Sequence, residues 1–259
     1  MRGPMLVAHR GASAAAPENT LAAVRAAWEA GADAVEGDFR LTRDGVVVCI
    51  HDATTARTAD IDLTVAAAPL ARLREADVGS GKGRRWAGER IPTIDEVLDA
   101  VPADKTILIE IKDGPGLVVP VARALKRALL PPERAVIIAF DPAVIRRARE
   151  VMPATRRYWL TGPEGCRTAE ALAGFLEKIG ADGAGCRVHR GIDRRFAAAL
   201  RKRGKELNVW TVDRADAARR LAAAGVDSIS TNRPGPIGEA LEAAGLRKAR
   251  PGGPGDSGG

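Results

Sequence analysis

Short runs suited to β-strands alternate with helix-period segments along almost the whole chain, and that alternation leaves few folds open. The strand-like runs are residues 5–8, 33–39, 106–112, 135–140, 156–160, 182–186, 207–212 and 227–230. Helix-like stretches lie between them, for example 20–30, 116–130, 142–151, 168–179, 193–203 and 214–224. Gly31, Gly180, Gly204 and Gly225 each stand where a helix hands over to the next strand. A residue there takes a left-handed conformation, which costs glycine least. Parallel strands need a crossover, and a helix supplies it. Eight strands, each followed by a helix, predict a closed parallel barrel, the TIM (β/α)8 architecture. The length of 259 residues suits one such domain, expected over residues 1–247.

One interruption breaks the rhythm. After the second strand come a turn at Arg43, Asp44 and Gly45, an extra strand at 46–50, and an insert at roughly 52–90. The insert holds a short helix at 70–75 and a Gly/Lys/Arg-rich stretch at 79–88. A loop leaving a barrel strand emerges on the C-terminal face, where these barrels keep their active sites. The insert is therefore expected to cap or shape the mouth. The Gly/Pro/Ser-rich tail, 248–259, is expected to be disordered.

Aromatic residues make up only 3% of the chain, so its core must be built from Ala, Val, Leu and Ile. A net charge of +7 would permit nucleic-acid or membrane-surface binding. The basic residues are nevertheless spread along the chain with Asp and Glu between them. Clusters such as 82–85 and 201–205 are short and carry no interleaved aromatics. They read as solvated faces, and nucleic acid is not an expected partner. Cys49, Cys166 and Cys186 form no close pair, and an odd count argues against a disulfide framework. Cys49 lies in an apolar strand and reads as a small core residue. His9 and Arg10 interrupt the first apolar stretch too early for a signal peptide. No apolar run approaches transmembrane length. The expectation is a soluble cytoplasmic protein with no stable membrane insertion.

The chemistry gathers at strand ends. Glu36 and Asp38 are two apart in one strand, and Glu110 and Lys112 are two apart in another. Residues two apart in a strand face the same side, so each pair can face one centre. Three carboxylates suit a hard divalent cation, Mg²⁺ or Ca²⁺, which prefers oxygen ligands. Zinc fits less well, because no Cys/His cluster exists. His9 ends the first strand on the parity of Val7, and His51 closes the extra strand. Two histidines can supply the acid and base that a phosphodiester needs near neutrality. Arg10 and Lys112 can hold an anion. Lys112 and Glu110 can alternatively form a plain salt bridge. His189, in an arginine-rich loop, reads as a surface or rim residue. Asn19 or Thr20 can cap the first helix, and Glu18 can brace Arg10 or His9. Together the set reads as metal-assisted phosphodiester chemistry.

The motifs also carry a family likeness. His9-Arg10-Gly11, Pro17-Glu18-Asn19-Thr20, Gly31-Ala32-Asp33, Glu36-x-Asp38 and Thr42-x-Asp44-Gly45 belong to it. His51-Asp52, Arg57-Thr58, Gly88-Glu89-Arg90-Ile91-Pro92-Thr93 and Glu110-x-Lys112 continue it. Val209-Trp210-Thr211-Val212 and Thr231-Asn232-Arg233-Pro234 complete it. In this combination the chain resembles the glycerophosphodiester phosphodiesterases over nearly its whole length. The resemblance implies a TIM barrel with a small insertion after strand 2, and a divalent cation on Glu36, Asp38 and Glu110. It implies His9 and His51 as the acid/base pair, and Arg10 and Lys112 as phosphate-binding residues. It also implies that Trp210 and Phe140 line the pocket. Three positions depart from the family pattern. Gly37 stands where a bulkier residue is usual, Asp213 where Asn is frequent, and Asn232 where Asp is frequent.

The expected reaction is hydrolysis of a small glycerophosphodiester to glycerol 3-phosphate and an alcohol. One rival is a related phospholipase D-like enzyme acting on lysophospholipids or sphingolipids, which would need an apolar mouth that the polar insert does not favour. Another is a non-catalytic phosphate-binding module on the same fold, which the intact acid, base and carboxylate set argues against.

Overall fold

Residues 3–248 are described in a computed structural model. The expected tail therefore lies, apart from Lys248, outside the described residues. Eight parallel strands close on themselves: β1 (Met5–Ala8), β2 (Ala34–Leu41), then β4 (Thr106–Ile111) to β9 (Ser228–Thr231). Between these last two run β5 (Ala135–Ala139), β6 (Arg156–Thr161), β7 (Gly183–Arg187) and β8 (Glu206–Trp210). Closure comes from β1, which pairs with both β2 and β9. The expected TIM barrel is what the chain forms. The extra strand, β3 (Val47–Cys49), pairs antiparallel on the upper half of β2, with Phe39 opposite Cys49.

Helices surround the barrel. They are α1 (Leu21–Glu29), α3 (Ile94–Asp99), α4 (Val118–Arg127), α5 (Pro142–Val151), α6 (Ala169–Ile179), α7 (Arg194–Lys202), α8 (Ala215–Ala224) and α9 (Pro234–Ala243). Thr20 caps α1 by accepting from the Ala23 amide, and Thr93 with Glu96 forms a capping box at α3. Gly180 and Gly225 end α6 and α8 with φ of 73° and 85°, as their placement in the sequence predicted. The larger core, rich in Ala, Val, Leu and Ile, fills the layer between strands and helices.

Inside the barrel Val7, Ala34, Leu108, Val136, Ile138, Tyr158 and Leu160 form a second, smaller core. Below the mouth, Tyr158 and Arg156 both engage Glu206. β7 presents glycine inward at two successive positions. A Cβ on Gly183 would lie 2.9 Å from the Tyr158 ring, and one on Gly185 would overlap Leu160. These two large side chains fill the space that β7 leaves.

The insert is not a bare loop. It contains α2 (Leu70–Leu73), shorter than the 70–75 helix expected there, and three single helical turns. Val65, Leu73 and Val78 pack with Val48, Ile50 and Ile91 into a core of their own. The Asp77 carboxylate accepts from the amides of Gly79, Ser80 and Gly88, pinning the basic stretch. Lys82 Nζ and Arg85 then reach the carbonyls of Ser13 and Ala15. The insert is thus tied to the loop that follows β1.

The cysteines require a correction. Cys166 and Cys186 form a disulfide across a Cα separation of 6.5 Å, against the expectation of unpaired thiols. Thr161 lies in register with Cys186, so the loop leaving β6 runs back past β7 and brings Cys166 beside it. That closeness comes from barrel packing, and a sequence separation of 20 conceals it. Cys49 is free and buried, as expected.

If this small core unfolds together with the barrel, Leu73→Ala should cost about 2–5 kcal/mol, as for other fully buried leucines. Urea unfolding measures it. A loss below about 0.5 kcal/mol, typical of surface positions, would mean the insert merely lies on the barrel.

Candidate active site

The three carboxylates owe their meeting to strand register. In the β2–β4 pairing Asp38 sits beside Glu110, and Glu36 lies two residues back on the same face of β2. One carboxylate oxygen from each falls within 4.8 Å of the others, and all three side chains are buried. Asp38 is only 1% exposed, which rules out an ordinary surface acid at a strand end.

Backbone shape brings the cations to them. Arg10 has a left-handed φ of 55°, and Gly11 follows with φ 77°. A Cβ on Gly11 would overlap the backbone of Ala23, so only glycine allows the chain to turn here. The turn aims the Arg10 amide at Glu36 Oε2, 2.8 Å away. Its guanidinium Nε lies 3.3 Å from Asp38 Oδ2, and its Nη1 donates to Glu18 at 2.9 Å. Glu18 is held in turn by both terminal nitrogens of Arg57. Lys112 Nζ stands 2.7 Å from Glu110 Oε1 and 3.4 Å from Asp38 Oδ1. The salt bridge to Glu110 exists, but within a cation pair that serves the whole carboxylate cluster.

Charge crowding separates the three acids. Burial drives Glu36 well above the ordinary carboxylate range, and Asp38 and Glu110 push it the same way. Burial, then Asp38, pushes Glu110 up to about 7 against the pull of Lys112. Burial would also raise Asp38, but Arg10, Lys112 and His51 overcome it and hold Asp38 below its usual value. Glu36 Oε1 and Asp38 Oδ1 are buried with no hydrogen-bond partner. Two buried carboxylate oxygens without a hydrogen bond, one of them with only the Lys112 ammonium nearby, are what a hard divalent cation would satisfy. The donor set fits such an ion.

The histidines flank this centre. His9 continues β1 through its amide, which donates to the Thr231 carbonyl at 2.9 Å. Its Nδ1 lies 2.8 Å from Asn232 Oδ1, and its Nε2 is 3.9 Å from Glu36 Oε2. Burial and the neighbouring Arg10 lower its pKa, against the opposing pull of Asn232 and the nearby acids. His51 follows β3. Its Nδ1 stands 2.6 Å from Asp52 Oδ1, and Arg57 Nε holds the other Asp52 oxygen at 2.6 Å. A carboxylate only accepts, so His51 Nδ1 is the donor. Arg40 fixes the His51 carbonyl at 2.9 Å.

His9, Arg10, Glu36, His51, Glu110 and Lys112 line one side of a cavity of about 230 Å³. Ile138, Phe140, Leu160 and Trp210 line another part of it. The Phe140 and Trp210 rings meet edge to face at 5.6 Å. Every site residue expected from the sequence is therefore in this cavity or, for Asp38, in the buried cluster beside it. His189 is not among the lining residues; its Nδ1 accepts from the Gly191 amide at 3.1 Å. Sequence reading missed Asn19, which takes a left-handed φ of 59°. Its amide donates to Asp38 Oδ2 at 2.8 Å and accepts from the Asp38 amide at 3.1 Å. Thr20 already caps α1, which frees Asn19 for this work. Two candidates for a single cap were the available signal.

The profile of the glycerophosphoryl diester phosphodiesterase family matches residues 9–236. The chain belongs to this family. A glycerophosphodiester phosphodiesterase of Caldanaerobacter subterraneus subsp. tengcongensis is 35% identical over 238 residues, covering 89% of this chain and 94% of that protein. Among solved structures, an Oleispira antarctica phosphodiesterase in complex with the product sn-glycerol-3-phosphate superposes with a TM-score of 0.84. It shares 27% identity, over 93% of this chain and 97% of that one. A glycerophosphodiester phosphodiesterase from Thermotoga maritima gives a TM-score of 0.76 at 27% identity, over 92% and 99% of the two chains. The family hydrolyses phosphodiesters, and this chain is an enzyme of that class. Gly37, where the resemblance leads one to expect a bulkier residue, faces away from the cavity. A Cβ there would come within 3.0 Å of Cys49 Sγ and 3.3 Å of the Phe39 ring, so the glycine relates to packing with β3.

Glu110 ties stability to pH. Its pKa of about 7 in the folded state lies above the ordinary 4.5. Between those values the folded protein holds a proton that the unfolded chain has released, so stability falls as pH rises. We expect the metal-free protein to lose thermal stability across that window, and Glu110→Gln to flatten the loss. Added Mg²⁺ or Ca²⁺ at pH 7 should raise the melting temperature of the wild type more than that of the variant. Equal slopes and equal metal responses would contradict this account of the cluster.

Proposed function

We propose that the chain hydrolyses small, water-soluble glycerophosphodiesters, such as glycerophosphocholine or glycerophosphoethanolamine, to glycerol 3-phosphate and the free alcohol. The observation that carries this reading is a buried three-carboxylate cluster with two oxygens that accept no hydrogen bond, flanked in one cavity by two histidines and two cations. The Oleispira relative with bound sn-glycerol-3-phosphate supports the same product.

In this reading Glu36, Asp38 and Glu110 hold a divalent cation, Mg²⁺ or Ca²⁺. When bound, such an ion polarises a phosphoryl oxygen and neutralises developing charge. Arg10 and Lys112 face the same centre and bind the non-bridging phosphate oxygens. His9 and His51 act as the acid/base pair: one takes a proton from the attacking oxygen and the other gives one to the leaving alkoxide. Each ring's Nδ1 is engaged, by Asn232 and by Asp52, so Nε2 is the working nitrogen in both. Phe140 and Trp210 provide the apolar wall against which the carbon skeleton rests.

A cavity of about 530 Å³ lies between the insert and the loop after β1, with Glu18, Arg57, Ser80 and Lys82 in its lining. Its charged lining suits a hydrophilic headgroup better than an acyl chain, and it gives the insert a part in choosing the alcohol. Among the described residues no helix is long and apolar enough to cross a membrane. Disulfides persist mainly in oxidising compartments, so the Cys166–Cys186 bond does not support the expectation of a cytoplasmic protein.

A substrate panel tests the reading. Glycerophosphocholine should yield glycerol 3-phosphate and choline, activity should vanish in EDTA, and Mg²⁺ or Ca²⁺ should restore it. Preference for lysophosphatidylcholine would favour a lysophospholipid-directed enzyme, and no turnover of glycerophosphocholine or glycerophosphoethanolamine would overturn the substrate assignment. His9→Ala and His51→Ala should each lower kcat about 10²–10⁴-fold, the usual worth of a general acid or base, with circular dichroism unchanged. Near-normal turnover in either variant would remove that histidine from the mechanism.

A further inference from the structure

Two departures from the family pattern meet in space. Asp213 stands just beyond β8, and Asn232 just beyond β9. The Asp213 carboxylate accepts from the Asn232 backbone amide at 2.8 Å and from Thr231 Oγ1 at 2.9 Å, both through Oδ1. Its Oδ2 accepts from the Asn232 side-chain amide at 2.6 Å. Asn232 Oδ1 then faces His9 Nδ1 at 2.8 Å, and the Ser13 hydroxyl reaches the same oxygen at 2.8 Å. The chain of contacts crosses three adjacent strand ends, those of β8, β9 and β1.

The hydrogen-bond chemistry runs one way along it. A carboxylate has no proton to give, so Asn232 must turn its NH₂ toward Asp213 and its C=O toward His9. A carbonyl has no proton to give either, so His9 Nδ1 must carry one. That leaves the Nε2 lone pair on the side of Glu36 and the cavity. We propose that Asp213 and Asn232 are positioning residues that fix the tautomer and ring orientation of His9, Asp213 acting through the amide of Asn232. The proposal rests on the reading of His9 as an acid/base group.

An exchange of the two residue types has a physical meaning. With Asn at 213 and Asp at 232, the carboxylate would touch Nδ1 directly and demand the same tautomer. Exchanging the two residues keeps the proton on Nδ1 and moves the negative charge one residue away from the ring. Changing only one breaks the logic. Asp213→Asn leaves two amides, and the Asn232 side chain can then flip and offer its NH₂ to Nδ1, forcing the other tautomer. Asn232→Asp sets two carboxylates against each other.

The chain contains three histidines, so imidazole ¹⁵N–¹H spectra of the full protein with Mg²⁺ present can be read site by site, with His9→Ala supplying the assignment. We expect neutral His9 to carry its proton on Nδ1 in the wild type, and that preference to be lost in Asp213→Asn. In glycerophosphocholine hydrolysis, Asp213→Asn should lower kcat about 10–100-fold, the usual cost of losing an outer-shell partner, with KM little changed. The double variant Asp213→Asn/Asn232→Asp should recover most of the loss, in the spectrum and in kcat. A wild-type His9 protonated on Nε2 would overturn the proposal. So would an unchanged Nδ1 preference in Asp213→Asn, a double variant no better than the singles in the spectrum, or an unchanged kcat in Asp213→Asn where His9→Ala lowers kcat. The spectrum reads the tautomer whether or not His9 proves catalytic, so it separates this proposal from the functional reading beneath it.

Discussion

The pairing of Asp38 with Glu110 across two parallel strands sets the terms for everything around it. Register places the two carboxylates side by side at the barrel mouth, and the strand repeat of two adds Glu36. Three buried like charges repel, and isolated they would not all ionise. The protein answers in several ways at once. Burial and repulsion favour protons on Glu36 and Glu110, while Arg10 and Lys112 keep Asp38 charged. The two oxygens that still accept no hydrogen bond leave a place for a cation. The left-handed Arg10, the obligatory Gly11 and the left-handed Asn19 are the backbone consequences of bringing donors to that cluster. Strained conformations of this kind persist only where surrounding structure holds them.

Around the cluster, the support is layered and largely ionic. Glu18 sits between Arg10 and Arg57, and Arg57 also holds Asp52 against His51. A single arginine of the insert thereby touches both the residue that steadies a barrel cation and the residue that orients a histidine. The insert joins the site through these contacts and the barrel through its own small core.

Much of this was legible in the chain, for identifiable reasons. Strand–helix alternation and handover glycines report local backbone preference, so the barrel could be read. Two-residue spacing in a strand is a local geometric rule, so Glu36 with Asp38 and Glu110 with Lys112 could be assigned to one centre. What escaped depends on closure. The Cys166–Cys186 bond joins a loop to a neighbouring strand, and the contact of Asn232 with His9 spans 223 positions. No local spacing encodes either. Asn19 escaped because its neighbour Thr20 performs the same capping task equally well. The core of the insert escaped because its apolar residues, Val65, Leu73 and Val78, are scattered among polar ones without a helical or strand period.

The cavity lining is also divided along the chain. Its acids, bases and cations come from β1, β2, β3 and β4 and their ends, all before residue 113, whereas Ile138, Phe140, Leu160 and Trp210, with the uncharged Asn208 and Ser230, come from β5, β6, β8 and β9 and their ends. The first half of the polypeptide supplies charge and the second supplies shape. A phosphodiester has one charged centre and two uncharged arms, so such a mouth admits it in a preferred orientation. Inheritance can also treat the halves separately. Substitutions between 138 and 210 can recontour the wall for a different carbon skeleton while the charged half stays untouched, so the fold can change what it accepts without reinventing how it reacts.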